Sequence, residues 1–294
     1  MHERLMAAGV RRTARAKKRA SSRVPIVSLG LLVLLAALCL LADLLAPGDP
    51  SYMDLAAAGQ APSAAHPLGT DVLGRDVFAM LLHGGRVSLF IGACAAGISA
   101  LVGSIYGAAA ALAPGWLHDL LMRGAELLLS LPGILLAILL QAALGEANML
   151  SLSLVIGLTG WMPTAKLVRS QVLQMRGQEY IQAAQGMGAG FFHLFFRHFL
   201  PGVFPSIAFL VIGSMGGAIA SEATLSFLGI GLPVEAVSWG SLLQASQRAL
   251  LTGDWWMVLI PGAVLLTALL SLLQVGNALK QNHGMAMPKR RMHL

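Results

Sequence analysis

The stretch Gln178-Glu179-Tyr180-Ile181-Gln182-Ala183-Ala184-Gln185-Gly186-Met187-Gly188-Ala189-Gly190-Phe191-Phe192-His193-Leu194-Phe195-Phe196-Arg197-His198-Phe199-Leu200-Pro201 separates two long apolar runs, residues 149–170 and 200–222. Residues 177–185 are mostly helix formers, with Glu179 near the start, where an acid complements the helix dipole. Small Ala183 and Ala184 leave one side of that short helix flat, and Gly186, Gly188 and Gly190 permit a sharp reversal. A second amphipathic piece follows: Phe191, Phe192, Phe195, Phe196 and Phe199 recur at helical spacing, with Arg197 and His198 among them, a pattern suited to a membrane interface. A short flat-faced helix held between two turns suits docking into a groove on another protein; the alternative is an interfacial amphipathic loop whose Ala and Gly have no partner.

Outward from this connection the chain is apolar. Of 294 residues 56% are hydrophobic and 11% are charged, with mean hydropathy +0.74, against about 25% charged in soluble chains. Each crossing of the ~30 Å hydrocarbon layer needs about 20 apolar residues, and six segments qualify, at about 24–46, 87–113, 117–144, 149–170, 200–222 and 256–278. The fourth is Gly-rich and interrupted by Pro163. The basic start followed by Val24 to Ala46 has a signal peptide's outline, but its apolar run exceeds the ~7–15 residues of a cleavable core, so it is expected to be retained as the first span. Lys and Arg stay on the cytoplasmic side of short connections. An inside N-terminus puts 17 of the 20 there, leaving only Arg75, Arg86 and Arg248 outside, whereas most acids fall outside, Glu235 among them. The expected fold is therefore an all-α integral membrane protein of six transmembrane helices, N-in and C-in. Its parts are a basic cytoplasmic tail 1–23, a first helix 24–46, an extracytoplasmic segment 47–86, a five-helix core 87–278 containing the connection 171–200, and a cytoplasmic tail 279–294. The net charge of +7 is a topology signal and points to no nucleic acid. Gly103-x-x-x-Gly107 and Gly213-x-x-x-Gly217 let helix backbones approach closely, in ordinary packing or at a subunit seam.

Several chemistries are excluded by what is missing. No Lys follows a Gly, so the phosphate-cradling G-x-x-x-x-G-K-[ST] loop is absent. There is no H-E-x-x-H and no G-x-S-x-G, and Gly186-x-Gly188-x-Gly190 follows no strand. Cys39 and Cys94 lie 55 residues apart inside apolar runs and suggest neither a disulfide framework nor a thiolate metal site. Of eight histidines only His66 and His83 fall outside, 17 residues apart. Transport, channel or scaffold work remains, with no catalytic residue and no metal or cofactor bound by this chain.

The connection is where a resemblance becomes specific. It resembles the EAA loop of ABC-importer permeases, whose form is Glu-Ala-Ala, three residues, Gly, nine residues, Ile, one residue, Leu-Pro. Here Gln182-Ala183-Ala184, Gly188, His198 and Leu200-Pro201 keep that spacing. Gln182 stands for the Glu, with Glu179 one turn earlier able to supply a charge, and His198 for the Ile, as in the peptide-importer branch. Two outer segments strengthen the likeness. Leu68-Gly69-Thr70-Asp71-Val72-Leu73-Gly74-Arg75-Asp76 resembles the signature of the second (C-type) permease subunit of peptide and nickel importers. Thr70 or Asp71 can cap a helix and Asp71 pairs with Arg75 at i,i+4, so a short exposed outer helix is expected, its pair contributing ~0–1 kcal/mol. Leu225-Ser226-Phe227-Leu228-Gly229-Ile230-Gly231, with Trp239-Gly240 later, resembles the same subfamily; Gly229 and Gly231 let the chain turn back, making Ser226 to Gly231 a candidate outer gate. Glu222, an acid within or at the end of a span, is a functional candidate: it meets a substrate cation, or it is a helix-end acid bonded to Ser221, Thr224 or a partner. Asp43 carries the same ambiguity.

The resemblance covers roughly residues 25–282 and implies a type I ABC-importer permease fold in a bacterial cytoplasmic membrane. It implies a homologous second permease as heterodimer partner, two cytoplasmic P-loop ATPases that hold the ATP and magnesium, and an extracytoplasmic substrate-binding protein, with membrane lipid around the spans. Glu179, Gln182, Ala183, Ala184, Gly188, His198 and Pro201 would form the ATPase-coupling site. The implied cargo is di- or oligopeptide, with nickel, a metal chelate or metallophore, or glutathione as alternatives. A non-transporting scaffold or channel subunit is the rival class.

Overall fold

The computed structural model describes residues 26–233 and 236–284, so the expected tail 1–23, Glu235 and residues 285–294 of the expected tail 279–294 lie outside the described residues. Among the described residues every regular element is helical, with one isolated β-bridge between Thr70 and Asp76.

The first helix, α1 (Ile26–Leu40), has 15 residues and stops before the predicted Ala46. Arg86 explains the stop: its Nε donates to Cys39 O at 2.6 Å and its Nη2 to Leu40 O at 2.7 Å, so a guanidinium satisfies carbonyls that a further turn would have used. The same guanidinium pairs with Asp43 at 2.8 Å, in the short helix α2 (Ala42–Leu45). Asp43 is thus tied to Arg86.

The helix of the second apolar run starts ten residues before that run. Helix α3 (Val77–Leu112) begins where the Asp76 side chain accepts from Ala79 N at 3.0 Å, so residues 77–86 of the predicted extracytoplasmic segment 47–86 are helical. The predicted third span is two helices, α4 (Gly115–Ser130) and α5 (Gly133–Leu144), meeting at 93°. Pro132 causes the break, since it has no N–H to donate and pushes the preceding Leu131 into extended backbone (φ −86°, ψ 140°). The fourth is also bent, as Pro163 suggested: α6 (Met149–Gly160) and α7 (Met162–Arg176) meet at 47°.

After α7 come α8 (Glu179–Gly186), α9 (Phe191–Leu194), a π turn at Phe195–Phe199, α10 (Leu200–Phe227), α11 (Trp239–Thr252) and α12 (Trp256–Gly284). Among the described residues three helical stretches are each long and apolar enough to cross a membrane, Val77–Leu112, Phe192–Phe227 and Trp256–Lys280, and counting each bent pair as one span brings the number to five. Helix α3 is central, packing on α6, α7 and α10, while α12 packs on α10, α11 and α1. Gly103 and Gly107 lie on the α3–α7 contact: a Cβ on Gly103 would come within 2.6 Å of Trp161 O. That pair is intramolecular packing. A Cβ on Gly213 or Gly217 would meet nothing within 4 Å, although the Gly213 backbone faces Gly276 of α12.

Candidate functional site

At one end of the bundle, α8 lies across α7 and the start of α10. Ile181 and Ala184 are buried against Val168, Val172, Phe195, Phe199 and Val203. Ala184 therefore anchors the helix; the free face is formed by Glu179, Gln182, Ala183 and, beyond the helix, Met187, 82% exposed. Gly188 has φ +84°, with Met187 N donating to Ala183 O at 3.0 Å and Ala189 N to Ala184 O at 3.1 Å. This closure of a helix end needs a left-handed residue just past it, and it fixes why the motif has Gly at this position. The half-buried His198 ring lies 5.9 Å from Tyr180 and 5.8 Å from His193, joining α8 to the segment that follows. Pro201 sits exposed in the first turn of α10, directly after the π turn, where its missing N–H removes one bond from the continuing helix. The loop residues singled out in the sequence are thus brought together, with Ala184 turned inward.

At the opposite end, Glu222 is fully buried. Its carboxylate accepts from Ser88 Oγ on α3 at 3.0 Å, from Ser226 Oγ at 2.9 Å and from Ser238 Oγ at 2.7 Å. Neither Ser221 nor Thr224 is its partner. Ser238 caps α11, accepting from Ser241 N at 3.1 Å, and Ser88 Oγ accepts from Trp239 N at 3.1 Å. One carboxylate therefore joins three helices, and it points into protein. Gly229 (φ +80°) ends α10 as Gly188 ends α8, with Ile230 N donating to Leu225 O at 2.9 Å. Gly231 packs on Ser226, and a Cβ on Gly240 would stand 2.7 Å from Ala223 Cα. Phe227 is half exposed, and its carbonyl accepts from Gln247 Nε2 at 3.1 Å. The sequence pointed to Glu222 but not to Ser88 or Ser238; Ser238 carried a readable signal, since Ser-Trp-Gly-Ser can cap a helix.

The outer signature departs from its expected form. Residues 70–76 form a closed loop with no helix: Asp71 N donates to Arg75 O at 3.0 Å and Gly74 N to Asp71 O at 3.0 Å. The Asp71 carboxylate accepts from Leu73 N, Arg75 N and Arg75 Nε at 2.9, 2.8 and 2.7 Å. Its side chain and that of Arg75 are 0% and 7% exposed, so the pair expected at the surface is buried. Thr70 O accepts from Trp256 Nε1 at 3.1 Å, docking the loop on α12. Asp76 caps α3 and pairs with His66 Nδ1 at 2.7 Å. His83 lies apart from His66, its Nε2 against Ala46 O at 3.2 Å. Among the described residues no group of three His, Cys, Asp or Glu side chains is arranged to hold a metal.

Residues 100–282 match the family model described as binding-protein-dependent transport system inner membrane component. A permease protein of Brucella suis biovar 1 (strain 1330) is 37% identical over 235 residues, 80% of this chain and 78% of that protein. The oligopeptide transport system permease protein OppC of Bacillus subtilis (strain 168) is 34% identical over 247 residues, 84% of this chain and 81% of its own. The dipeptide transport system permease protein DppC of the same organism is 34% identical over 240 residues, 82% and 75% of the two chains. Matched from α3 through α12, the chain belongs to the family of binding-protein-dependent transport system inner membrane components.

Proposed function

We propose that this chain is one permease subunit of an ATP-driven importer that carries di- or oligopeptides across the bacterial cytoplasmic membrane. The names of OppC and DppC, for oligopeptide and dipeptide transport, support the cargo class. In this reading the chain pairs with a homologous permease, receives cargo from an extracytoplasmic binding protein and is moved by two P-loop ATPases, which hold the ATP and magnesium. It has six spans, N-in and C-in: α1 with α2, α3, α4 with α5, α6 with α7, α10, and α12. The distribution of Lys and Arg supports that orientation.

The observation that carries the reading is a continuous rod. From Phe192 to Phe227 the backbone runs as 36 helical residues, about 54 Å at 1.5 Å per residue. One end bears His198 against Tyr180 of α8; the other bears Glu222, Ser226 and Gly229. A displacement imposed on the exposed face of Glu179, Gln182 and Ala183 is passed through Ile181 and Ala184 into this rod, and interfaces packed this closely shift as units. Residues 226–231 form the outer gate, and Asp71, Arg75 and Asp76 frame the outer end of the bundle.

The test is Gly188→Val in the assembled transporter. Valine is strained at positive φ, so α8 loses its closure, and both ATPase co-purification and peptide uptake should fall. Retention of both would refute the docking role and favour a scaffold. Uptake into proteoliposomes, competed with dipeptides, longer peptides and nickel chelates, checks the cargo: competition by the chelates alone would move the reading to a metal-chelate importer.

A further inference from the structure

We infer that a pocket between α4 and α7 holds the headgroup of an aminophospholipid, binding its phosphate and its primary ammonium together. The pocket has a volume of about 320 Å³ and lies at the same end of the bundle as α8. The inference needs the membrane location that the family gives and is independent of the peptide cargo. Helix α3 ends beside the pocket. At 36 residues it runs about 54 Å, well beyond the ~30 Å hydrocarbon layer, so its ends reach the level of lipid headgroups.

Six of the seven lining residues carry a charge or an imidazole: His118, Asp119, Arg123 and Glu126 of α4, and Lys166 and Arg169 of α7. Two of them pair, Lys166 Nζ with Glu126 Oε1 at 3.2 Å. Among the described residues Asp119, Arg123 and Arg169 have no ion pair. Arg169 is held by a ring: His118 Nδ1 donates to Ala110 O at 2.7 Å, in the last turn of α3, and His118 Nε2 accepts from Arg169 Nε at 3.2 Å and Nη2 at 2.6 Å. A carbonyl oxygen only accepts, which fixes the ring hydrogen on Nδ1 and leaves Nε2 as the acceptor. The guanidinium is thus positioned by a group that brings no negative charge to it.

The charges select the ligand. Arg123 and Arg169 suit a phosphate, whose oxygens match guanidinium donors. Asp119 stands four residues before Arg123 on α4, the order that favours an ion pair, yet the two form none. Helix neighbours at that spacing are ~5–6 Å apart at Cβ, a span that ethanolamine phosphate bridges with its phosphate on the arginines and its ammonium on Asp119. A purely anionic headgroup would set its phosphate beside an uncompensated carboxylate, and a choline headgroup has no N–H to donate to one. What favours a lipid over a soluble zwitterion is the surface next to the pocket. Trp116, Leu120 and Leu127 are 71%, 60% and 70% exposed, and with Arg123 they recur at intervals of four, three and four residues, on one face of α4. An apolar stripe running past the pocket suits acyl chains and gives a soluble ligand nothing.

Asp119 and Arg123 are exposed, so Asp119→Asn and Arg123→Gln remove charge at little structural cost, and thermal melting confirms that both variants fold. Native mass spectrometry on the purified transporter complex, titrated with phosphatidylethanolamine or phosphatidylglycerol, counts the bound lipid, and the site is read as the difference between wild type and variant. Wild type should bind phosphatidylethanolamine in preference to phosphatidylglycerol. Asp119→Asn should lose that preference without weakening phosphatidylglycerol. Arg123→Gln should weaken both lipids roughly tenfold, the loss of one hydrogen bond to a charged group. Phosphatidylethanolamine binding that is equal in wild type and both variants, or phosphatidylglycerol bound as tightly by wild type, overturns the site. Glycerophosphoethanolamine, which has no acyl chains, separates the sources of the headgroup: binding as tight as the lipid's overturns the lipid as the ligand. Displacement of phosphatidylethanolamine by alanylalanine would make this a peptide site and overturns the inference as well.

Discussion

Glycines with the same letter code do different physical work here, and substitution separates them. Gly188 has positive φ and open space around it, whereas Gly231 has Ser226 where its Cβ would be. Gly188→Ala should cost about 1 kcal/mol from backbone conformation alone, and Gly231→Ala about 1–3 kcal/mol from overpacking; thermal melting of the solubilised complex reads both. Glu222 gives a second contrast. Glu222→Leu leaves the hydroxyls of Ser88, Ser226 and Ser238 without their acceptor, at about 1–3 kcal/mol for each left unsatisfied. Glu222→Gln keeps an acceptor for the two hydroxyls on Oε1 and should lower the melting temperature by much less. Asp71 and Arg75 belong in the same group. Either residue replaced by Leu strands a buried charge, at about 3–5 kcal/mol, far above the surface-pair value its spacing suggested. That burial was not legible in the sequence, because the residues that cover it, Ala57 and Trp256, are bound through Thr70 at separations of 13 and 186 residues. Glu222 was legible as an unusual acid in an apolar run, but Ser88, 134 residues away, was not.

At the scale of elements, the apolar runs marked the helices well and their ends poorly. Averaged hydropathy hides a single proline, so 117–144 looked like one span although Pro132 divides it. Likewise Asp76, His83 and Arg86 masked the first ten residues of α3, whose apolar side chains Val77, Met80, Leu81 and Leu82 are buried. The break at Pro132 predicts a distance. Spin labels at Leu120 and Leu140 should lie about 21 Å apart by backbone geometry if α4 and α5 meet at 93°, and about 30 Å apart in a straight helix. Pro132→Ala removes a penalty of about 3 kcal/mol against the straight form and should add a longer component to the distance distribution measured by electron spin resonance.

For the whole molecule, the expected order of spans makes a parity prediction. Tyr52 and Met187 are exposed and are separated by α3, α4 with α5, and α6 with α7. Three crossings put them on opposite faces, so a membrane-impermeant maleimide should label Tyr52→Cys in intact spheroplasts and Met187→Cys only after lysis. Labelling of both from one side would mean that one bent pair is re-entrant. The π turn at Phe195–Phe199 also bears on how the two ends work together. Leu200 N donates to Phe195 O across one residue more than an α-helix would use. The chain therefore carries an angular phase offset of about 100°, the rotation of one α-helical residue, between α9 and α10. Deleting any one residue of that turn would restore ordinary pitch, swing His198 off Tyr180 and aim the α8 face elsewhere while leaving every span intact. In the proposed coupling, the alignment of the two ends depends on a residue count, so this segment should tolerate substitution far better than insertion or deletion.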